Sequence, residues 1–212
     1  MELICHDLGR MAYGPALDLQ QRLVSQVQSA PEGPAHLLLV EHDPPAITTG
    51  RRPCPQQVLV SPEQLARMGI EFHATSRGGT VTYHGPGQLV AYPIVPLASM
   101  GWTVRAYVRG LEEAVIRTLA KFDLPAGRAA GMTGVWVGRE KIAAIGVAVS
   151  RWVTWHGLAL NVSTDLRGFN HIIPCGLAGR GVTSMSRCLG RAISVAQVKP
   201  VLVQCLRGVL AV

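Results

Sequence analysis

Between residues 103 and 122 the apolar side chains Val104, Tyr107, Val108, Leu111, Val115, Leu119 and Phe122 recur at steps of three and four, the spacing of one face of an α-helix. Leu124-Pro125 ends that helix. Residues 15–30 carry a similar stripe in Leu19, Leu23, Val24 and Val27. Elsewhere the period shortens. Residues 36–40, 71–75 and 89–95 read as strands, and Ser61-Pro62-Glu63-Gln64 offers a serine N-cap, a first-turn proline and a glutamine that completes a capping box. Gly69 closes that short helix. Residues 134–137, 142–149 and 152–162 are rich in Val, Ile and Trp, with Ser150-Arg151 between the last two, so they are expected as adjacent antiparallel strands. A last helix starts at Ser194 with Gln197 in a second capping box, and Pro200 inside it predicts a kink.

No repeat or low-complexity linker divides the chain, and 212 residues at 48% hydrophobic composition suffice for a single domain over 1–212. The order of elements predicts an α/β (α+β) fold with one central sheet. It lacks the strict strand–helix alternation of a dinucleotide-binding fold.

Charge adds a partner class. Twenty Lys and Arg against 13 Asp and Glu give a formal +7, which suits an acidic partner. The basic residues are scattered as single Arg or short pairs such as Arg51-Arg52, with little aromatic interleaving, so no nucleic-acid partner is expected. The start MELICHDLGR has neither the basic opening nor the apolar run of a secretory signal. No run of eighteen apolar residues predicts a membrane span. The expectation is a cytoplasmic protein without a membrane partner. Five cysteines, Cys5, Cys54, Cys175, Cys188 and Cys205, form an odd set without C-x-x-C pairs, which argues for free thiols and no metal site.

Two stretches are dense in chemistry. RGGTVTYHGPGQ, residues 77–88, packs four glycines with Arg77, Tyr83 and His84. It lacks the lysine of a phosphate-binding P-loop and the helix start of a dinucleotide fingerprint. A rigid loop presenting Tyr83 and His84 remains, or a plain tight hairpin. In HIIPCGLAGRGVT, residues 171–183, Cys175 lies between Pro174 and Gly176, and Gly176, Gly179 and Gly181 can turn N–H groups toward one oxyanion. Cys175 is a candidate nucleophile, although Pro-Cys-Gly also occurs as turn material. A nucleophilic thiol needs a base or a cation beside it, and His84, His156, His171 and Lys141 are the candidates. Lys141 heads the apolar run KIAAIGVAV, where proximity to buried surface can lower its pKa; an exposed lysine at a strand end is the ordinary alternative.

Taken together, RGGTVTYHGPGQ, TGVWVGREKIAAIGV, HGLALNVSTDL and FNHIIPCGLAGRGVTSM, in that order, resemble the lipoyl(octanoyl) transferases over roughly residues 36–188. The resemblance implies a central mixed, largely antiparallel sheet flanked by helices, similar to that of lipoate and biotin protein ligases. It implies transfer of an octanoyl group from the phosphopantetheine of acyl carrier protein to a lysine of lipoyl domains. The acceptors would be 2-oxoacid dehydrogenase complexes and the glycine cleavage H protein, with no cofactor and no metal. By position, Cys175 is the acyl-thioester nucleophile and Lys141 its proton-handling partner. Arg77, Gly78, Gly79, Thr80, Val81, Thr82, Tyr83 and His84, with Ala144, Ile145, Gly146, Gly157, Leu158 and Ala159, would line the acyl site. Ile142, Ala143, Ala144, Ile145 and Leu158 are the expected apolar wall of its groove.

Overall fold

The structure is a computed structural model that describes residues 1–52, 54–173 and 180–211. Strand β1 (Leu3–Met11), helix α1 (Tyr13–Ser29) and strand β2 (Ala35–His42) open the chain. Strands β3 (Ala46–Thr49), β4 (Glu71–Ala74) and β5 (Val81–His84) follow, with helix α2 (Pro62–Arg67) between the first two. Next come β6 (Gln88–Ile94), helix α3 (Val104–Ala120) and the run β7 (Gly127–Ala129), β8 (Met132–Val137), β9 (Glu140–Ser150) and β10 (Val153–Asn161). Helices α4 (Met185–Leu189) and α5 (Val195–Leu210) complete the order.

Seven strands form one mixed sheet in the order β1-β2-β6-β10-β9-β8-β7. Only the β1–β2 pair is parallel; every other neighbour runs antiparallel. The unbroken apolar run of β2 is explained by burial on both faces. Leu37 and Leu39 face α3 and α5, packing in one cluster with Tyr107, Leu111, Leu202 and Leu206. Leu38 and Val40 join the cluster of Leu23, Val24 and Val27 on α1. Helices therefore cover both sides of the sheet, as the family resemblance implies.

A second, three-stranded sheet, β4-β3-β5, stands beside the first over a smaller cluster of Ile47, Leu65, Tyr83, Phe169 and Ile172. Two of its strands lie where the sequence pattern suggests turn and loop: β3 within residues 43–55, rich in proline and arginine, and β5 within the glycine-rich residues 77–88. Residues 77–88 are therefore not a hairpin. Val81–His84 pairs antiparallel with β3, and Gly85-Pro86-Gly87 hands the chain to β6 in the large sheet. The capping boxes predicted at Ser61 and Ser194 are both formed. Helix α5 runs on through Pro200, held by Val198, Leu202 and Leu206 in the core. Strand β1 escaped the sequence reading because it is an edge strand with alternate residues, such as Cys5 and Asp7, exposed. No helix among the described residues is long and apolar enough to cross a membrane.

Candidate active site

A cavity of about 440 Å³ opens between the two sheets. Three stretches meet there because of how β9 and β10 pair. Ala144, Ile145 and Gly146 lie opposite Ala159, Leu158 and Gly157, in that order. The segment leading into β5 is tied to the same ladder by Gly78 N–H donating to Val147 O at 2.9 Å. Gly157 is required by close approach: a Cβ there would fall 2.2 Å from Ala91 O on β6, inside any real contact distance, so a side chain would prise the sheet open.

Arg77, Gly78, Gly79, Thr80, Val81, Thr82 and His84 line the cavity, as do Lys141, Ala144, Ile145, Gly146, Gly157, Leu158 and Ala159. Tyr83 does not. Alternation along β5 turns its ring away, edge-on to Phe169 at 5.4 Å and into the cluster beneath the small sheet. Ile142 and Ala143, expected in the groove wall, pack instead in the main core. Cys175 lies outside the described residues.

Lys141 is gripped from two sides. Its backbone N–H donates to Gly181 O at 3.0 Å, and its carbonyl accepts from Thr183 N–H at 3.0 Å, so residues 181–183 are fastened to the head of β9. Its Nζ stands 4.9 Å from the centroid of the Trp136 ring, an attraction between cation and ring face.

The opposite wall is polar and buried. Arg77, 7% exposed, donates from Nε and Nη2 to Thr48 Oγ1 at 3.1 and 2.8 Å, from Nη2 to Thr48 O at 2.6 Å, and from Nη1 to Gly78 O at 3.0 Å. His84 Nδ1 lies 2.8 Å from Gln88 Oε1; that oxygen only accepts, so Nδ1 carries the proton. Gln88 Nε2 donates to Asn161 Oδ1 at 2.9 Å and Tyr83 O at 3.2 Å, and Asn161 Nδ2 donates to Thr183 O at 3.0 Å. A continuous chain of hydrogen bonds thus runs from His84 to Thr183, whose N–H holds Lys141.

Burial, with His42 and Arg77 adding like charge, pushes the His84 pKa well below the ordinary histidine value. The ring is neutral at pH 7 and both its nitrogens are spoken for, Nε2 facing Thr48 Oγ1 at 3.5 Å. His84 shapes the wall. His156 also lines the cavity, with a left-handed φ of 54° and its ring stacked on Trp155 at 4.5 Å; burial and then the Arg77 charge push it down to about 3. Of the four candidate partners for a thiol, Lys141, His84 and His156 line the cavity and His171 does not.

Tyr13, Thr48, Gln88, Tyr92 and Asn161 belong to the site or its support and were not anticipated. Gln88 closes the quoted glycine-rich stretch and Asn161 sits in HGLALN, so position in the motif was the only signal. Among the described residues no group of three or more His, Cys, Asp or Glu is placed to hold a metal ion. The cavity's apolar side, from Val90, Val108, Ile145 and Leu158, suits a hydrocarbon chain, and exposed Arg51 and Arg52 stand at its border.

The fold and this cavity define an α/β protein with a partly apolar cavity beside a lysine. The lipoyl protein ligase A/B catalytic domain matches residues 12–207, and the chain belongs to that family. Among its relatives, the octanoyltransferase of Chloroflexus aurantiacus (strain J-10-fl) is 52% identical over 199 residues, 92% of this chain and 88% of that one. The octanoyltransferase of Solibacter usitatus is 54% identical over 181 residues, 84% and 80% of the two chains. Solved structures share the fold at lower identity. A bi-partite lipoate protein ligase from Thermoplasma acidophilum superposes with a TM-score of 0.74 at 18% identity, covering 100% of this chain and 84% of that one. The biotin protein ligase of Aquifex aeolicus gives 0.56 at 12%, covering 99% and 70%.

Proposed function

We propose that the chain is an octanoyltransferase of protein lipoylation that takes the acyl group from acyl carrier protein, carries it on Cys175, and delivers it to a lysine of a lipoyl domain. The observation that carries the reading is identity above half with octanoyltransferases along most of the chain. The cavity supports it. Its apolar side suits eight carbons, since each buried methylene contributes about 0.8 kcal/mol, and Lys141 stands at that cavity rather than in solvent. The +7 charge and the bordering Arg51 and Arg52 favour an acidic donor.

In the first step the Cys175 thiolate, stabilised by the Lys141 ammonium, attacks the thioester carbonyl. The carbon–sulfur bond to phosphopantetheine breaks as Lys141 gives its proton to the departing thiol. In the second, the neutral amine of the acceptor lysine attacks the Cys175 thioester, Lys141 as free amine takes its proton, and Cys175 leaves as thiolate. Each bond broken is matched by one formed, so neither nucleotide nor metal is needed. The four described thiols, all free, suit the reducing cytoplasm.

Intact mass spectrometry after mixing the protein with octanoyl-carrier, without acceptor and without ATP, tests the reading. An octanoyl adduct mapped to Cys175 and lost in Cys175→Ser is expected. Transfer that requires ATP and survives Cys175→Ser would establish a ligase reaction instead.

A further inference from the structure

Helix α3 carries one residue at odds with its stripe. Glu112 follows Leu111 on the buried face and is 1% exposed, where an ionised carboxylate is costly unless it is paired and hydrogen-bonded. It is both. Oε2 accepts from Arg109 Nη1 at 2.7 Å and Arg128 Nε at 3.0 Å, and Oε1 accepts from the backbone N–H of Gly134 at 3.1 Å. Two arginines supply the charge, so the third bond, to a strand backbone, is what the burial secures.

Gly134 is an unusual place to secure. Its φ is +122°, open to glycine and hardly to other residues, and a Cβ there would meet Ala143 O at 2.7 Å and Lys141 Cε and Cδ at 3.3 and 3.5 Å. The bare Gly134 backbone is thus the surface on which the Lys141 stem lies. Directly after it the β8–β9 register slips: Val135 pairs with Ala143 but Trp136 pairs with Lys141, leaving Ile142 as the extra residue of a bulge. A bulge re-aims the side chains beside it. Here it sends Ile142 into the core and Lys141 to the cavity.

We infer that Glu112 is a positioning residue: its buried carboxylate fixes Gly134 and the bulge, and through them aims Lys141 at the acyl site. This rests on the proposed role of Lys141. A bond made only to dock α3 on β8 would have no reason to select a strand residue whose missing side chain leaves room for the lysine stem.

The test is a double-mutant cycle in octanoyl transfer, using Glu112→Gln, Lys141→Ala and the double variant, with kcat and KM followed across pH. Glu112→Gln keeps the side-chain shape while replacing one carboxylate oxygen by an amide facing two arginines. It is expected to lower kcat about 10- to 100-fold, the cost of roughly 1 Å of misplacement, to leave KM for the donor within about twofold, and to displace the pH–rate profile. The double variant should be no slower than Lys141→Ala alone, because one residue acts through the other. Gly134→Ala, which presses on the stem from the same side, is expected to reproduce the kcat loss and carries the test if Glu112→Gln fails to fold. Multiplicative losses in the double variant, or a pH profile unmoved by Glu112→Gln, overturn the positioning role while leaving Lys141 in place. An unimpaired Lys141→Ala overturns the proposed role of Lys141 and the positioning role with it.

Discussion

The two long walls of the cavity are made in opposite ways. On one side β9 and β10 form a regular antiparallel ladder in which Ala144, Ile145 and Gly146 face Ala159, Leu158 and Gly157, and small or apolar residues present a surface fixed by backbone register. On the other side Arg77, Thr48, His84, Gln88 and Asn161 are all buried and are held by side-chain hydrogen bonds. A ladder shares its load over many equivalent bonds. A polar network does not, because removing one member leaves its neighbours buried and unpaired. Apart from Gly157, where a Cβ would strike Ala91 O, the ladder wall should therefore tolerate conservative substitution and the network wall should not.

The sharpest break of that contrast is Gln88→Leu, nearly the same shape without the amide. It strips the partner from the His84 Nδ1 proton, from Asn161 Oδ1 and from Tyr83 O together. With about 1–3 kcal/mol for each stranded buried group, and incomplete additivity, the expected loss is about 3–5 kcal/mol, read from urea unfolding, with transfer activity falling in parallel. A loss under about 1 kcal/mol would mean the network relaxes as freely as a surface.

Next comes acid. Burial holds His42 at about 4 and His156 at about 3, below the ordinary histidine value of 6.5, so between those values the unfolded chain binds protons that the folded one refuses. Stability contributed by the neutral rings is full above about pH 6.5 and is lost as pH falls toward 4 and 3. At pH 5 each ring should cost about 2 kcal/mol relative to pH 7. His156→Phe should flatten the pH dependence of the unfolding free energy by about one proton; an unchanged slope would show that this ring is already hydrated.

The same contrast governs what the residues announced. The ladder wall was legible because β9 and β10 are long apolar runs split by Ser150-Arg151, and Lys141 stood out as a charge at the head of one. The strands β3 and β5 were not, since four-residue pieces of a small sheet, written in Thr, Tyr and His, carry too short a period to separate from turns. Asn161 and Thr48 look like any loop residue until distant partners meet them, and a hydrogen bond between Gln88 and Asn161, 73 positions apart, leaves no local pattern. Glu112 did leave one, a carboxylate beside Leu111 on the buried stripe of α3, and its meaning needed Gly134 to be seen above it. Tyr83 shows the reverse failure: motif position assigned it to the cavity, and strand alternation turned it away.

On the ladder wall the expected effects are small. Leu158→Ile conserves volume at a fully buried position and should cost under about 1.5 kcal/mol, with octanoyl transfer within about threefold of the original. A cost matching that of Gln88→Leu would erase the difference between the walls.

Smallest of all is the border, where Arg51 and Arg52 are exposed and belong to neither wall. Exposed charges there are screened, so they contribute about 0–1 kcal/mol to any bound state, and they act on encounter with an acidic donor. Arg51→Ala with Arg52→Ala should raise KM for octanoyl-carrier about 2- to 5-fold at low salt and leave kcat alone, since screened surface charge acts on encounter and not on the chemical step. In about 1 M salt the screening length shrinks to about 3 Å, and the variant and the original should converge. A KM difference that persists undiminished at high salt would mean that the two arginines make close contacts with the donor, and the border would then have to be counted with the network wall.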